Sequence, residues 1–109
     1  VKHHKRPMFR RILNNNNIDL KKGTTKSKII KTLMNFYKKD NFIKILKANT
    51  LISTNDVINS NNCFISICKS KYKNKIIIIS AIDNLIKGGA GQAVQNLNMK
   101  FNFPIKTAL

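Results

Sequence analysis

The sequence predicts an α+β fold: a mixed or mostly antiparallel sheet with helices packed on one side. Two observations carry this. The elements read strand, helix, strand, long loop, hairpin, helix. One stretch, "KIIIISAI" (Lys75 to Ile82), is an almost unbroken β-branched run of the kind that forms a sheet's centre. With 109 residues, no internal repeat and no clear boundary, the chain is one domain's worth or a piece of a larger protein.

The first element is "PMFRRIL" (Pro7 to Leu13), where Met8, Phe9, Ile12 and Leu13 surround basic residues as in a strand or strand end. "NNNN" (Asn14 to Asn17) is low in complexity and fits either a turn or a drifted strand segment, because asparagine disfavours strands and tolerates left-handed turns. After the break at Lys21, Lys22 and Gly23, Thr24 or Thr25 can cap a helix. Its apolar Ile29, Ile30, Leu33, Phe36 and Tyr37 recur at helical spacing, and it should end near Asp40 and Asn41.

"FIKIL" (Phe42 to Leu46) reads as a short strand. The sixteen residues from Lys47 to Asn62 are polar and turn-rich, long enough to suggest that they serve a site. "CFISIC" (Cys63 to Cys68), the turn "KSKYKN" and the isoleucine run form an antiparallel hairpin, whose second strand should be buried on both faces. A helix carrying Ala90, Ala93, Val94 and Leu97 follows, then a tail closed by Pro104.

Charge is the loudest compositional feature, with 21 Lys and Arg against 4 acidic residues and a net charge of +17. A small basic nucleic-acid-binding, ribosomal-like protein is one reading. Yet Lys, Asn and Ile share adenine- and thymine-rich codons and make up 51 of the residues. The basic residues run from Lys2 to Lys106 without a dense tail, and no base-stacking or helix-turn-helix pattern stands out. A solvated lysine surface shaped by codon bias outweighs specific nucleic-acid binding. No apolar run is long enough to cross a bilayer, and "VKHHKRPMFRR" lacks a signal core, so a cytoplasmic setting is expected. Cys63 and Cys68 suit buried, inert thiols better than a disulfide. His3 and His4 make no metal site, since neighbours on an extended segment point opposite ways.

"SAIDNLIKGGAGQAVQN" (Ser80 to Asn96) departs from this background, with three of the four glycines inside four positions. A central strand running into a helix start collects ligands, because first-turn amides lack partners; Asp83 or Asn84 can cap that start. Glycines there let a cofactor ring or another backbone come close, although small residues also serve plain helix packing. The spacing matches neither the dinucleotide fingerprint nor a phosphate loop.

From Ala81 to the end the chain, "AIDNLIKGGAGQAVQNLNMKFNFPIKTAL", closely resembles the C-terminal segment of the N-acetyl-gamma-glutamyl-phosphate reductase family. "STNDVINSNNCFISI" is similar to that family's "STKDVRGSNYCDIGV", and "HHKRPMFRRIL" to its "PHLVPMNRGIL". The order of all three segments agrees, so the likeness covers essentially all of the chain.

The resemblance implies an α+β fold like the C-terminal dimerisation and substrate domain of glyceraldehyde-3-phosphate-dehydrogenase-like enzymes. Residues 83–109 would be the helix and tail that return to a nucleotide-binding domain. It also implies an NADP-dependent reductase of arginine biosynthesis, acting on N-acetyl-glutamyl phosphate by covalent cysteine catalysis followed by hydride transfer, and a homo-oligomer. The family's nucleophile motif, "NPGCYPT", and its general-base histidine do not occur here, so no catalytic residue is expected in these 109 positions and the piece alone should be inactive.

By resemblance Asn84 would grip the nicotinamide carboxamide, and Lys87, Gly88 and Gly91 would flank the cofactor. Arg10 would meet an anionic group of the substrate, and His4 would line or support the substrate region. Three departures stand out: Arg11 and Asn59 replace glycines of the family pattern, and Asn62 replaces a tyrosine. A relative of aspartate-semialdehyde dehydrogenase would share "DNL", but "GQAVQN" favours the glutamyl branch.

Overall fold

The computed structural model describes residues 2–4 and 10–109. Five strands form one sheet in the order β1-β2-β5-β4-β3. They are β1 (Lys2–His4), β2 (Arg11–Asp19), β3 (Ile43–Ile45), β4 (Cys63–Lys69) and β5 (Lys75–Asp83). Only the β3–β4 pairing is parallel, which makes the sheet mixed. Two α-helices, α1 (Lys26–Phe36) and α2 (Gly91–Lys100), complete the α+β architecture.

The first strand differs from the sequence expectation. Met8 and Phe9 lie outside the described residues, and β2 instead runs through Asn14 to Asn17 to Asp19. Asparagine has no intrinsic liking for this conformation. The opposing β5 imposes it, pairing Asn15 with Ile79, Asn16 with Ile78 and Asn17 with Ile77. β5, flanked by β2 and β4, is the centre that its isoleucines indicated, yet its middle, Ile77 to Ser80, is only half-buried. The expectation of burial on both faces therefore holds only near its ends, where Ile76, Ala81 and Asp83 are buried.

Alternation along the strands separates two faces. Leu13, Phe64, Ile79 and Ala81 point to the same side and pack with Ile52 and Val57 of the 47–62 segment. That segment is no open loop. A 3-10 turn (Thr54–Val57) begins in a capping box, with the Ser53 hydroxyl accepting from the Asn55 amide and Asp56 accepting from the Ser53 amide. Ile52 and Val57 close the core. Ile67, fully buried, points to the other side, and α1 packs against β3 and β4.

Thr25 caps α1, its hydroxyl accepting from the Lys28 amide at 3.2 Å. The helix stops at Phe36, earlier than expected, and Asp40 beyond it turns back to accept from the amides of Phe42 and Ile43. The chain thus enters β3 through an Asp-centred turn.

Candidate functional site

β5 does not run straight into a helix. Asp83 ends the strand, a π-helical turn (Ile86–Ala90) follows with a kink at Gly89, and only then does α2 begin at Gly91. Neither Asp83 nor Asn84 caps a helix start: the π-helical turn is preceded by Leu85 and α2 by Ala90, both without a side-chain cap, and Asp83 Oδ1 instead accepts from the Leu85 amide at 3.1 Å in a tight turn.

Asp83 is also the anchor of three separate segments. It is fully buried, and its Oδ2 accepts from Arg10 Nε at 3.0 Å and from the Asn59 amide at 2.9 Å, with Arg10 Nη2 in ion-pair contact at 2.9 Å. Burial by itself would raise this carboxyl's pKa. The Arg10 guanidinium and the two amides outweigh that effect and hold it below the usual carboxylate range. Arg10 closes the arrangement from the main chain, its carbonyl accepting from the Asn84 amide.

Beside it, Arg11 reaches from β2 to the long segment, its Nη1 donating to Thr54 Oγ1 at 3.1 Å and to Asn55 Oδ1. Arg11 thus holds the start of residues 54–59 directly, and Asp83, paired with Arg10, holds their end. Asn59, which replaces a glycine of the family pattern, has φ 59°, a left-handed conformation that asparagine tolerates better than other side chains.

The glycines answer to neighbours that can be named. A Cβ on Gly88 would lie 2.1 Å from Asn84 Oδ1, so the Asn84 amide covers the glycine. At Gly91, which is buried, a Cβ would lie 2.5 Å from Asn61 Oδ1 and 2.7 Å from the Ile86 carbonyl. Asn84 itself is exposed, and among the described residues nothing bonds its side chain. Lys87 is half-buried. Its ammonium donates to Gln95 Oε1 at 2.7 Å and lies 5.1 Å from the centre of the Phe42 ring.

A cavity of about 580 Å³ opens between the Asn59–Asn62 loop and α2, with Phe42, Ile86, Gly91, Val94 and Leu109 among its walls. Of the residues singled out from the sequence, Asn84, Lys87, Gly88 and Gly91 gather at the strand-to-helix junction. Arg10 joins them through Asp83. His4 lies in β1, paired with Leu13.

Sequence reasoning read Asp83 only as a cap and passed over Asn61, Gln95 and Asn98. Asn98, buried, donates from Nδ2 to the carbonyls of Ile105 and Thr107 and pins the tail to α2. The signal was there in the amide-rich "QAVQNLN", where uncharged polar residues fall on a helix otherwise built of small apolar ones.

Cys63 is half-buried and Cys68 buried. Burial pushes the Cys63 thiol up, against the nearby Lys87 charge and with that of Asp40. Among the described residues no cluster of three or more His, Cys, Asp or Glu could hold a metal ion, and no helix is long and apolar enough to cross a membrane.

A mixed sheet that ends its central strand at a buried aspartate, then turns through glycines into a helix beside a polar loop, defines the class: an α+β domain built on one mixed sheet. The chain belongs to the semialdehyde dehydrogenase dimerisation domain family, whose model matches residues 2–84. It is 42% identical over 106 residues to the N-acetyl-gamma-glutamyl-phosphate reductase of Thermoanaerobacter pseudethanolicus, a match covering 97% of this chain and 31% of that protein. It is 48% identical over 75 residues to the reductase of the same name from Clostridium botulinum (69% of this chain, 22% of that protein). With the probable chloroplastic reductase of Oryza sativa it shares 37% over 92 residues (84% and 22%). The chain spans less than a third of the length of these curated relatives.

Proposed function

We propose that this chain is the C-terminal part of an NADP-dependent N-acetyl-gamma-glutamyl-phosphate reductase. The whole protein would convert N-acetyl-glutamyl phosphate to N-acetyl-glutamate semialdehyde for arginine biosynthesis in the cytoplasm, as a homo-oligomer. The observation that carries the reading is the 42% identity to a reductase of that name across 97% of the chain. The family's description as a dimerisation domain supports the oligomer. On this reading residues 83–109 return to a nucleotide-binding domain, and the nucleophilic cysteine and general-base histidine belong to the part of the relatives outside the match.

The junction fits a nicotinamide cofactor in one respect. The Asn84 amide is exposed and offers both a donor and an acceptor, and Gly88 presents no side chain beneath it. When bound, the cofactor supplies a hydride. Asn84 would hold its carboxamide, with Lys87, Gly88 and Gly91 shaping the surrounding turn. Arg10 has its Nε and Nη2 on Asp83, and its Nη1 would meet an anionic substrate group; His4 would support the substrate region.

The test is a chimera in which this chain replaces the matched segment of the Thermoanaerobacter reductase. Consumption of NADPH dependent on the acyl phosphate is expected. A folded chimera that binds NADPH and leaves the acyl phosphate untouched would overturn the reading. In the active chimera, Asn84→Ala should raise KM for the coenzyme roughly tenfold, the scale of one lost amide contact. Gly88→Ala should do the same, since its Cβ must push the amide aside.

A further inference from the structure

We infer that Gln95 is a positioning residue, which fixes the distance between the Asn59–Asn62 loop and the Ile86–Ala90 turn and so sets the width of the cavity between them. Its Oε1 accepts from Asn61 Nδ2 at 2.9 Å and from Lys87 Nζ at 2.7 Å. Those donors come from two segments that flank the cavity: Asn61 lies on the loop that lines it, and Lys87 on the turn whose Ile86 and Ala90 line it. A carbonyl oxygen has two lone pairs, so this single atom is fully used in joining them.

Asn59 is tied to Asp83, and Ser60 and Asn62 bond within their own segment; the Asn61 side chain reaches α2 through Gln95. Asn61 is 5% exposed, and its Oδ1 finds no hydrogen-bond donor among the described residues, resting against Gly91 in the space where a Cβ would stand. Its bond to Gln95 is therefore the one side-chain bond it makes among the described residues, and it occupies the Nδ2 group. On the other side the Lys87 ammonium is drawn inward over Phe42, itself a wall of the cavity. A charged donor strengthens the bond to Gln95. The pair of bonds behaves as a brace, which transmits a shift of the turn to the loop through one shared acceptor.

For catalysis the inference rests on the reductase reading, in which the loop would face substrate and the turn the coenzyme. A brace between them predicts that Gln95 affects the binding of both. A polar residue that only solvates the helix predicts no effect on either.

Glutamate and leucine separate these cases. Gln95→Glu keeps an acceptor of the same reach for both donors; Gln95→Leu keeps the bulk and removes the acceptor. In the intact protein, hydrogen exchange of the amides at 59–62 and 86–90 should speed up together by about tenfold in Gln95→Leu, the scale of one or two lost hydrogen bonds. Gln95→Glu should stay within about twofold of the parent, and protection in β4 and β5 should not change. Should the leucine variant fail to fold, Lys87→Met serves, for it is expected to loosen the loop from the far end of the brace.

In the active chimera, Gln95→Leu should raise KM for coenzyme and acyl phosphate alike, with Gln95→Glu restoring both. Parental exchange at 59–62 in Gln95→Leu and Lys87→Met, or a glutamate variant as loose as the leucine one, would overturn the inference. Exchange needs no turnover, so a chimera without activity would refute the reductase reading and leave this measurement to decide the brace.

Discussion

Asp83 shows how much one side chain can carry. Its carboxylate accepts from a guanidinium, from the Asn59 amide and from the Leu85 amide, so Asp83→Ala strands two backbone donors as well as Arg10. The expected cost is roughly 3 kcal/mol, read from urea unfolding. Asp83→Asn, which keeps an acceptor, should cost less. The lowered pKa fixes the pH dependence. The unfolded carboxyl titrates near pH 3.9, about the usual value, and the native one lower, so its stabilisation is complete above that pH and is lost as pH falls through the native value. The wild-type urea midpoint should therefore drop more steeply below about pH 4 than that of Asp83→Asn. Gly91→Ala probes the same corner by volume. Its Cβ would meet the Ile86 carbonyl, which cannot swing away, and a loss of about 1–3 kcal/mol is expected.

At the scale of elements, the helix at Thr25, the short strand at Ile43–Ile45 and the hairpin of β4 and β5 were legible from period and punctuation alone. Thr25→Ala should lower stability by about 1 kcal/mol, through the cap that the sequence indicated. β2 was legible only as an open choice: its asparagines fitted a turn or a strand, and a partner about sixty residues away, not their own propensity, decides for the strand. Asn16→Val, opposite Ile78, should accordingly raise stability by roughly 0.5–1 kcal/mol. The candidate site was legible where it is local. Asn84, Lys87, Gly88 and Gly91 stand together because they are neighbours in sequence, whereas the ties of Asp83 to Asn59 and of Gln95 to Asn61 span 24 and 34 residues and have no local signature. Gly91 is the instructive case: its smallness was evident, and only the structure names Asn61 and Ile86 as what crowds it.

For the molecule as a whole, the charge and the exposed apolar surface lead to separate expectations. A net charge of +17 attracts any polyanion at low ionic strength. Binding to duplex DNA should therefore fall steeply with salt and show no preference between unrelated sequences, as a lysine surface without a reading element requires. A salt-resistant preference for one sequence would revive the nucleic-acid reading. Exposed apolar side chains concentrate toward the end of α2 and beyond it: Leu97, Met99, Phe101 and Phe103 are each about half exposed or more, and the two phenylalanine rings stack 6.1 Å apart.

The feature with the longest reach is that buried carboxylate at the end of β5. It links the start of β2, the polar loop and the glycine turn, and these three stretches ought to come apart in a single event on heating or in denaturant. Local loosening of the loop, such as loss of Gln95 would bring, should leave this knot tied, and whatever occupies the cavity would meet a loop that can breathe about one fixed point but cannot leave the sheet while the sheet stands.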